Sequence, residues 1–194
     1  GLGAKIRIHE GYCCASIPET LQGGRVFLGG SFGPSVLATA NVMMAAVLAK
    51  GETVIECAAC EPEVVDLANF LIKMGADISG AGSPFITIRG KKKISGCTYR
   101  IISDRIEAGT FIALSCATSS KLTLHNMDTD SLGAVFEAAE AMGMSYETSG
   151  RQVVELKPSA TIKPIHITTY PYPGFPTDLQ AQFMSALAVA DGVS

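Results

Sequence analysis

Asp178 stands in the run Pro176-Thr177-Asp178-Leu179-Gln180, just ahead of an apolar helical pattern that continues to Ala190. A Thr followed three residues later by Gln has capping-box spacing and predicts a helix start at Thr177. A carboxylate in a first turn faces the positive end of the helix dipole, which favours its ionised form. An ionised Asp can take a proton from a hydroxyl, or accept its hydrogen bond. Asp is equally common as a plain helix cap, so the spacing alone leaves both roles open. Gly33-Pro34-Ser35-Val36 is a second candidate. It reads as a Gly-Pro turn opening another apolar helix, and backbone amides at such an end suit an anion such as a diphosphate. The same pattern also describes an ordinary turn. Asp104, Arg105 and Glu107 open a third helix. Acids at a helix start cap it, with Arg105 available for an ion pair. The functional alternative has the three supporting a site between two domains.

Other chemistry-bearing residues fit quieter roles. Cys57-Ala-Ala-Cys60 has the spacing of a redox or zinc pair. It lacks a second pair or a nearby His, so structural cysteines and no metal site are expected. His9, His125 and His166 are scattered, and Lys91-Lys92-Lys93 reads as a solvated loop.

These residues need elements to hold them, and the chain repeats the same elements twice. A small-residue apolar helix, roughly 35–48, is followed by a strand at 51–56. A helix over 61–75 follows, with Pro62 at its start and Gly75 at its end. Val64, Leu67, Phe70, Leu71 and Met74 form its apolar face. Two strands around a Gly-rich turn complete the set by 89. The order returns with a helix at 104–116, a strand at 121–125, a helix over 128–142 ended by Gly143, and two more strands. The offset is about 70 residues. A third apolar helix begins at Asp178. Helices apolar nearly all round are expected to be buried.

The whole chain has 194 residues and 20.2 kDa, with 47% hydrophobic and 17% charged residues and a mean hydropathy of +0.30. That composition excludes a disordered chain. A net charge of −3 and a pI near 5.6 argue against a nucleic-acid face or a polybasic membrane patch. The longest clearly apolar run, Val42 to Ala49, is too short to span a bilayer. Six cysteines without a stapling framework suggest a reducing compartment, hence the cytoplasm. Gly1 opens directly into a strand pattern with no leader peptide expected. The missing initiator Met suggests either processing or a chain that begins inside something larger.

Four stretches together carry a resemblance: Pro34 to Gly51, Glu61 to Leu71, Asp104 to Phe111, and above all Tyr172-Pro-Gly-Phe-Pro-Thr-Asp-Leu-Gln-Ala-Gln182. The chain resembles, over essentially its full length, the UDP-N-acetylglucosamine 1-carboxyvinyltransferases of the enolpyruvyl transferase family. The resemblance implies an α/β fold, an inside-out α/β barrel of repeated βαβαββ units, present here as two partial domains. Residues 1–100 would be the later part of one domain and 101–194 the first part of the second.

The activity implied is transfer of the enolpyruvyl group of phosphoenolpyruvate to the 3-hydroxyl of UDP-N-acetylglucosamine, releasing phosphate, in peptidoglycan precursor synthesis. No cofactor is implied. Asp178 would contact the attacking hydroxyl as its general base, and Gly33, Pro34, Ser35 and Val36 would hold the UDP portion. The family's usual Ser-Val-Gly reads Ser35-Val36-Leu37 here, and its polar residue before Asn41 is Ala40. The family's Lys-Asn pair, reactive Cys loop, uridine contacts and C-terminal Asp and Arg are not among these residues. The implied partners are therefore the remaining N- and C-terminal parts of the same enzyme, and the 194 residues alone are expected to be inactive. Two other readings stay open: a non-catalytic sugar-nucleotide-binding or scaffold module, and the RNA 3′-phosphate cyclase branch of the fold, against which the acidic pI counts.

Overall fold

Strand β1 (Lys5–His9) pairs antiparallel with β2 (Tyr12–Ser16). Glu10 and Gly11 between them both have positive φ, as a tight two-residue hairpin requires. The computed structural model describes residues 1–17, 19–31 and 33–192. After the hairpin come β3 (Arg25–Phe27), β4 (Gly29–Gly30) and β5 (Gly33–Pro34), then helix α1 (Val36–Ala46) and β6 (Glu52–Glu56). Helix α2 (Pro62–Lys73) leads to β7 (Asp77–Ser79) and β8 (Phe85–Arg89).

The sheet order is β3-β6-β8-β7, with β3 parallel to β6 and the other pairings antiparallel. Parallel neighbours need a crossover, and α1 supplies it. This first compact unit, Gly1–Ile101, thus contains one complete β-α-β-α-β-β run. Alternating residues Ile55, Ile86 and Ile88 turn inward against Met43 and Val47 of α1 and Val64 and Leu71 of α2. Pro62 occupies the first turn of α2, and Gly75 adopts φ +106° just past its end.

The chain leaving β8 stays tied to this unit. Ser95 N donates to the Met74 carbonyl, and the Tyr99 hydroxyl donates to Asp66 Oδ1 at 2.7 Å. The Tyr99 ring tilts against Phe70 at 5.3 Å. The bond to Asp66 raises the phenol's pKa above its ordinary value.

The second unit begins at Ile102. It holds α3 (Arg105–Thr118), β9 (Leu122–His125), a 3₁₀ turn at Thr129–Leu132 and α4 (Gly133–Ala141), followed by β10 (Ser145–Ser149) and β11 (Val153–Lys157). A long irregular stretch leads to a 3₁₀ turn at Thr177–Leu179 and α5 (Gln180–Leu187). Its antiparallel sheet has the order β10-β11-β9. Helix-strand-helix-strand-strand recurs as the repeat predicts, with Gly143 at φ +105° where Gly75 ends α2.

Ile112, Cys116, Leu132, Phe136, Val154, Leu156, Leu179 and Phe183 fill the core. Helix α3 meets the 3₁₀ turn ahead of α5 at Gly109, where an added Cβ would lie 2.3 Å from Leu179 Cδ1. Gln182 Nε2 bridges α5 to α3 by donating to Thr110 Oγ1 at 3.2 Å.

The expectation that the three small-residue helices are buried all round needs correction. Each is buried on one side only. Leu37 and Met44 of α1, Phe111 and Leu114 of α3, and Met184 of α5 are exposed. Within its own unit each helix has neighbours on a single face, so the apolar residues on the other face meet solvent.

The cysteines divide by burial. All six are unpaired, with Cys13 and Cys14 exposed and Cys116 buried. Burial pushes the Cys116 thiol to about 11. At pH 8 its reactive thiolate is then about one part in a thousand. In the native protein, a maleimide should label Cys13 and Cys14 quickly and leave Cys116 untouched until denaturant is added. Peptide mass mapping checks this, and native labelling of Cys116 would contradict its burial.

Candidate functional site

Asp178 lies in the 3₁₀ turn Thr177–Leu179 that runs into α5. The expected capping box is absent. Pro176 occupies the cap position, and neither the turn nor α5 has a side-chain cap bond. A 3₁₀ turn places Thr177 and Gln180 differently from the first turn of an α-helix, so the spacing does not close into reciprocal bonds. Asp178 is exposed, and its carboxylate makes no hydrogen bond or ion pair among the described residues. It therefore does not do the local job that the simpler reading gives it.

The residues around Asp178 are firmly held. Phe175 is buried and meets Phe183 edge-on, with ring centroids 4.9 Å apart. Leu179 is fully buried under Gly109. Tyr170 N donates to the Phe175 carbonyl at 3.0 Å, and Gly174 N to that of Pro171 at 2.9 Å. The Tyr172–Pro173 peptide is cis. The Arg105 guanidinium sits over the Tyr172 ring, 5.6 Å from its centroid. A fixed turn with anchors on both sides of one unengaged carboxylate can present that group to a ligand at little conformational cost.

Asp104 contrasts with Asp178. Its Oδ1 accepts from Ile106 N at 2.8 Å and from Glu107 N at 3.1 Å, so it caps α3. Glu107 lies in the same first turn and is exposed. The structure thus gives Asp104 the simpler role and connects Arg105 to the Asp178 turn. No sequence spacing signals that connection, because Arg105 and Tyr172 are far apart in the chain.

Gly33, Pro34, Ser35 and Val36 lie in the first unit, apart from the other candidates in the chain order. Gly33 has φ +99° and, with Pro34, pairs with β4. Ser35 caps α1, its hydroxyl accepting from Ala38 N at 3.3 Å. The N–H groups of Val36 and Leu37 find no acceptor among the described residues, as a helix start leaves them. Leu37, 75% exposed, stands in this first turn. At the end of the neighbouring loop, Glu61 is only 7% exposed, and its Oε2 has no hydrogen-bond partner.

Cys57 and Cys60 fall between β6 and α2, and both are half-buried. Burial, and secondarily Glu61 and Cys57, push the Cys60 thiol up. Among the described residues, no group of three or more His, Cys, Asp or Glu stands together as a metal site, and no helix is long and apolar enough to cross a membrane.

The architecture is that of the enolpyruvyl transferases. Over 98% of the chain and 47% of the other, it superposes on the enolpyruvyl transferase NikO from Streptomyces tendae with a TM-score of 0.82 at 20% identity. An EPSP synthase from Acinetobacter baumannii matches 95% of the chain with a TM-score of 0.58. The chain belongs to the family of EPSP synthase (3-phosphoshikimate 1-carboxyvinyltransferase), whose model matches residues 1–194.

Two relatives are named UDP-N-acetylglucosamine 1-carboxyvinyltransferase. The protein of Haemophilus ducreyi is 45% identical over the full chain, which spans 45% of its length. That of Gloeobacter violaceus is 49% identical, with 41% of its length spanned. The chain therefore covers less than half the length of these relatives.

Proposed function

We propose that these residues are the central part of a UDP-N-acetylglucosamine 1-carboxyvinyltransferase. The whole enzyme moves the enolpyruvyl group of phosphoenolpyruvate onto the sugar 3-hydroxyl by addition and then elimination, releasing phosphate. The product is a cytoplasmic precursor of peptidoglycan, which links the enzyme to cell-wall growth, cell shape and division. The first unit is the later part of one barrel domain, and the second unit is the opening part of the other. The N- and C-terminal parts of the same enzyme are its partners, and neither nucleic acid nor membrane is a ligand.

Asp178 takes the proton from the attacking hydroxyl. Gly33, Pro34, Ser35 and Val36 receive the UDP portion, with the Val36 and Leu37 amides offered to the diphosphate. Asp104, Arg105 and Glu107 support the site through the cap on α3 and the stack of Arg105 on Tyr172. The observation that carries the reading is Asp178 itself. It is an exposed carboxylate with no cap bond or partner among the described residues, fixed between buried Phe175 and Leu179. Similarity to relatives of that name supports it.

The test is phosphate release with both substrates. The full-length protein should turn over, and residues 1–194 alone should stay at background because half the catalytic groups lie elsewhere in the enzyme. Turnover by the 194 residues that disappears in Asp178→Ala would overturn the fragment reading.

A further inference from the structure

Thr39 is wholly buried in the second turn of α1, on the same face as Met43 and Ala46. Its hydroxyl donates to the Ser35 carbonyl at 2.8 Å. A helical threonine commonly makes that bond and then has no further role. Here the same oxygen also accepts from Ala59 N at 3.0 Å, twenty residues along the chain. Ala59 is fully buried and lies in the loop that joins β6 to α2. One hydroxyl therefore holds two backbone groups at once: the carbonyl of the residue that caps α1, and an amide that has no water to turn to.

Ser35 is fixed from both sides as a result. Its carbonyl accepts from Thr39 Oγ1 and from Thr39 N, and its hydroxyl accepts from Ala38 N. The turn that leaves the Val36 and Leu37 amides without acceptors among the described residues cannot tilt without breaking these bonds. The loop on the other side of Thr39 ends at Glu61, whose buried Oε2 also lacks a donor. Two segments with unsatisfied polar groups are thus joined through a single side chain.

We propose that Thr39 is a positioning residue for nucleotide binding. By holding Ser35 and Ala59 together, it sets the direction of the Val36 and Leu37 amides toward a nucleoside diphosphate. This role rests on the nucleotide reading proposed above. Thr39 touches neither substrate, so it acts on affinity through the backbone and leaves the chemical step alone.

Calorimetric titration of the full-length protein with UDP tests the proposal. Thr39→Val keeps the shape and removes the hydroxyl, whereas Thr39→Ser keeps the hydroxyl and removes the methyl. The valine variant should bind UDP about tenfold more weakly, because the Ser35 turn is no longer held in the binding geometry and must be ordered on binding. The serine variant should stay within about twofold of the unsubstituted protein. In steady-state assays the valine variant should raise KM for the sugar nucleotide, with kcat and the KM for phosphoenolpyruvate little changed.

Equal UDP affinity in the valine and unsubstituted proteins would overturn the role. A serine variant as weak as the valine one would also overturn it, because methyl packing and not the hydroxyl would then be responsible. If the valine variant does not fold, Thr39→Ala reads the same loss, since the smaller side chain lets water reach the Ala59 amide. An unsubstituted protein that binds no UDP would instead overturn the nucleotide reading, and this role with it.

Discussion

Asp178→Ala in the full-length enzyme should lower kcat about a hundred- to ten-thousand-fold, the range over which a positioned general base contributes. Affinity for the sugar nucleotide should fall far less. The carboxylate bonds to nothing among the described residues of its own unit, so its removal leaves no buried group there unsatisfied and no helix uncapped. The turn is carried by Phe175, Leu179 and the backbone bonds at Tyr170 and Gly174, none of which depends on the Asp178 side chain. The thermal midpoint should accordingly stay close to that of the unsubstituted protein. Asp178→Asn, which preserves shape but cannot take a proton, should be nearly as slow as alanine. Phosphate release under saturating substrates measures the effect. Undiminished turnover in either variant would remove Asp178 from the role of base.

Phe183→Ala should be the most damaging single truncation for the second unit. The side chain is 1% exposed and closes the core between α5 and the Asp178 turn through its edge-on contact with Phe175. Large-to-small changes at such sites cost about 3–5 kcal/mol, because the cavity adds to the lost transfer energy. Phe175 would lose its neighbour, and the turn it anchors would loosen. Urea unfolding followed by circular dichroism should show the loss. Phe85 is 58% exposed and supplies the control: Phe85→Ala should cost under about 1 kcal/mol. Similar losses at the two positions would show that burial of Phe183 does not hold this core together.

Much of this fold is legible in the sequence, for physical reasons that can be named. Val64 and Leu71 recur at helical spacing because one side of α2 must leave water, and they are buried as that spacing predicts. Gly75 and Gly143 end their helices because the next residue needs a left-handed backbone. Pro62 is tolerated where a helix has no use for an N–H. These are local rules, and they act within a few residues.

What stays hidden depends on partners distant in the chain. Tyr99 meets Asp66 across 33 positions, and Arg105 meets Tyr172 across a longer separation still. Thr39 gives one faint signal, a polar residue on the inner face of an apolar helix, but its acceptance from Ala59 N needs coordinates. The capping-box spacing at Thr177 misleads because a 3₁₀ turn intervenes. The uniform apolarity of α1, α3 and α5 conveys that these helices are built to be covered, yet not that their own unit covers only one face. The place of Asp178 at a helix start follows from the sequence, whereas the lack of any bond to its carboxylate among the described residues does not.

The β1–β2 hairpin has a practical consequence. All ten of its strand residues are exposed, and each strand pairs only with the other, leaving both outer edges open among the described residues. Ile6 and Ile8 add exposed apolar side chains to one face of the ribbon. An unguarded ribbon of this kind templates the addition of further extended chains. It makes the hairpin the natural seed for clumping when the 194 residues are concentrated.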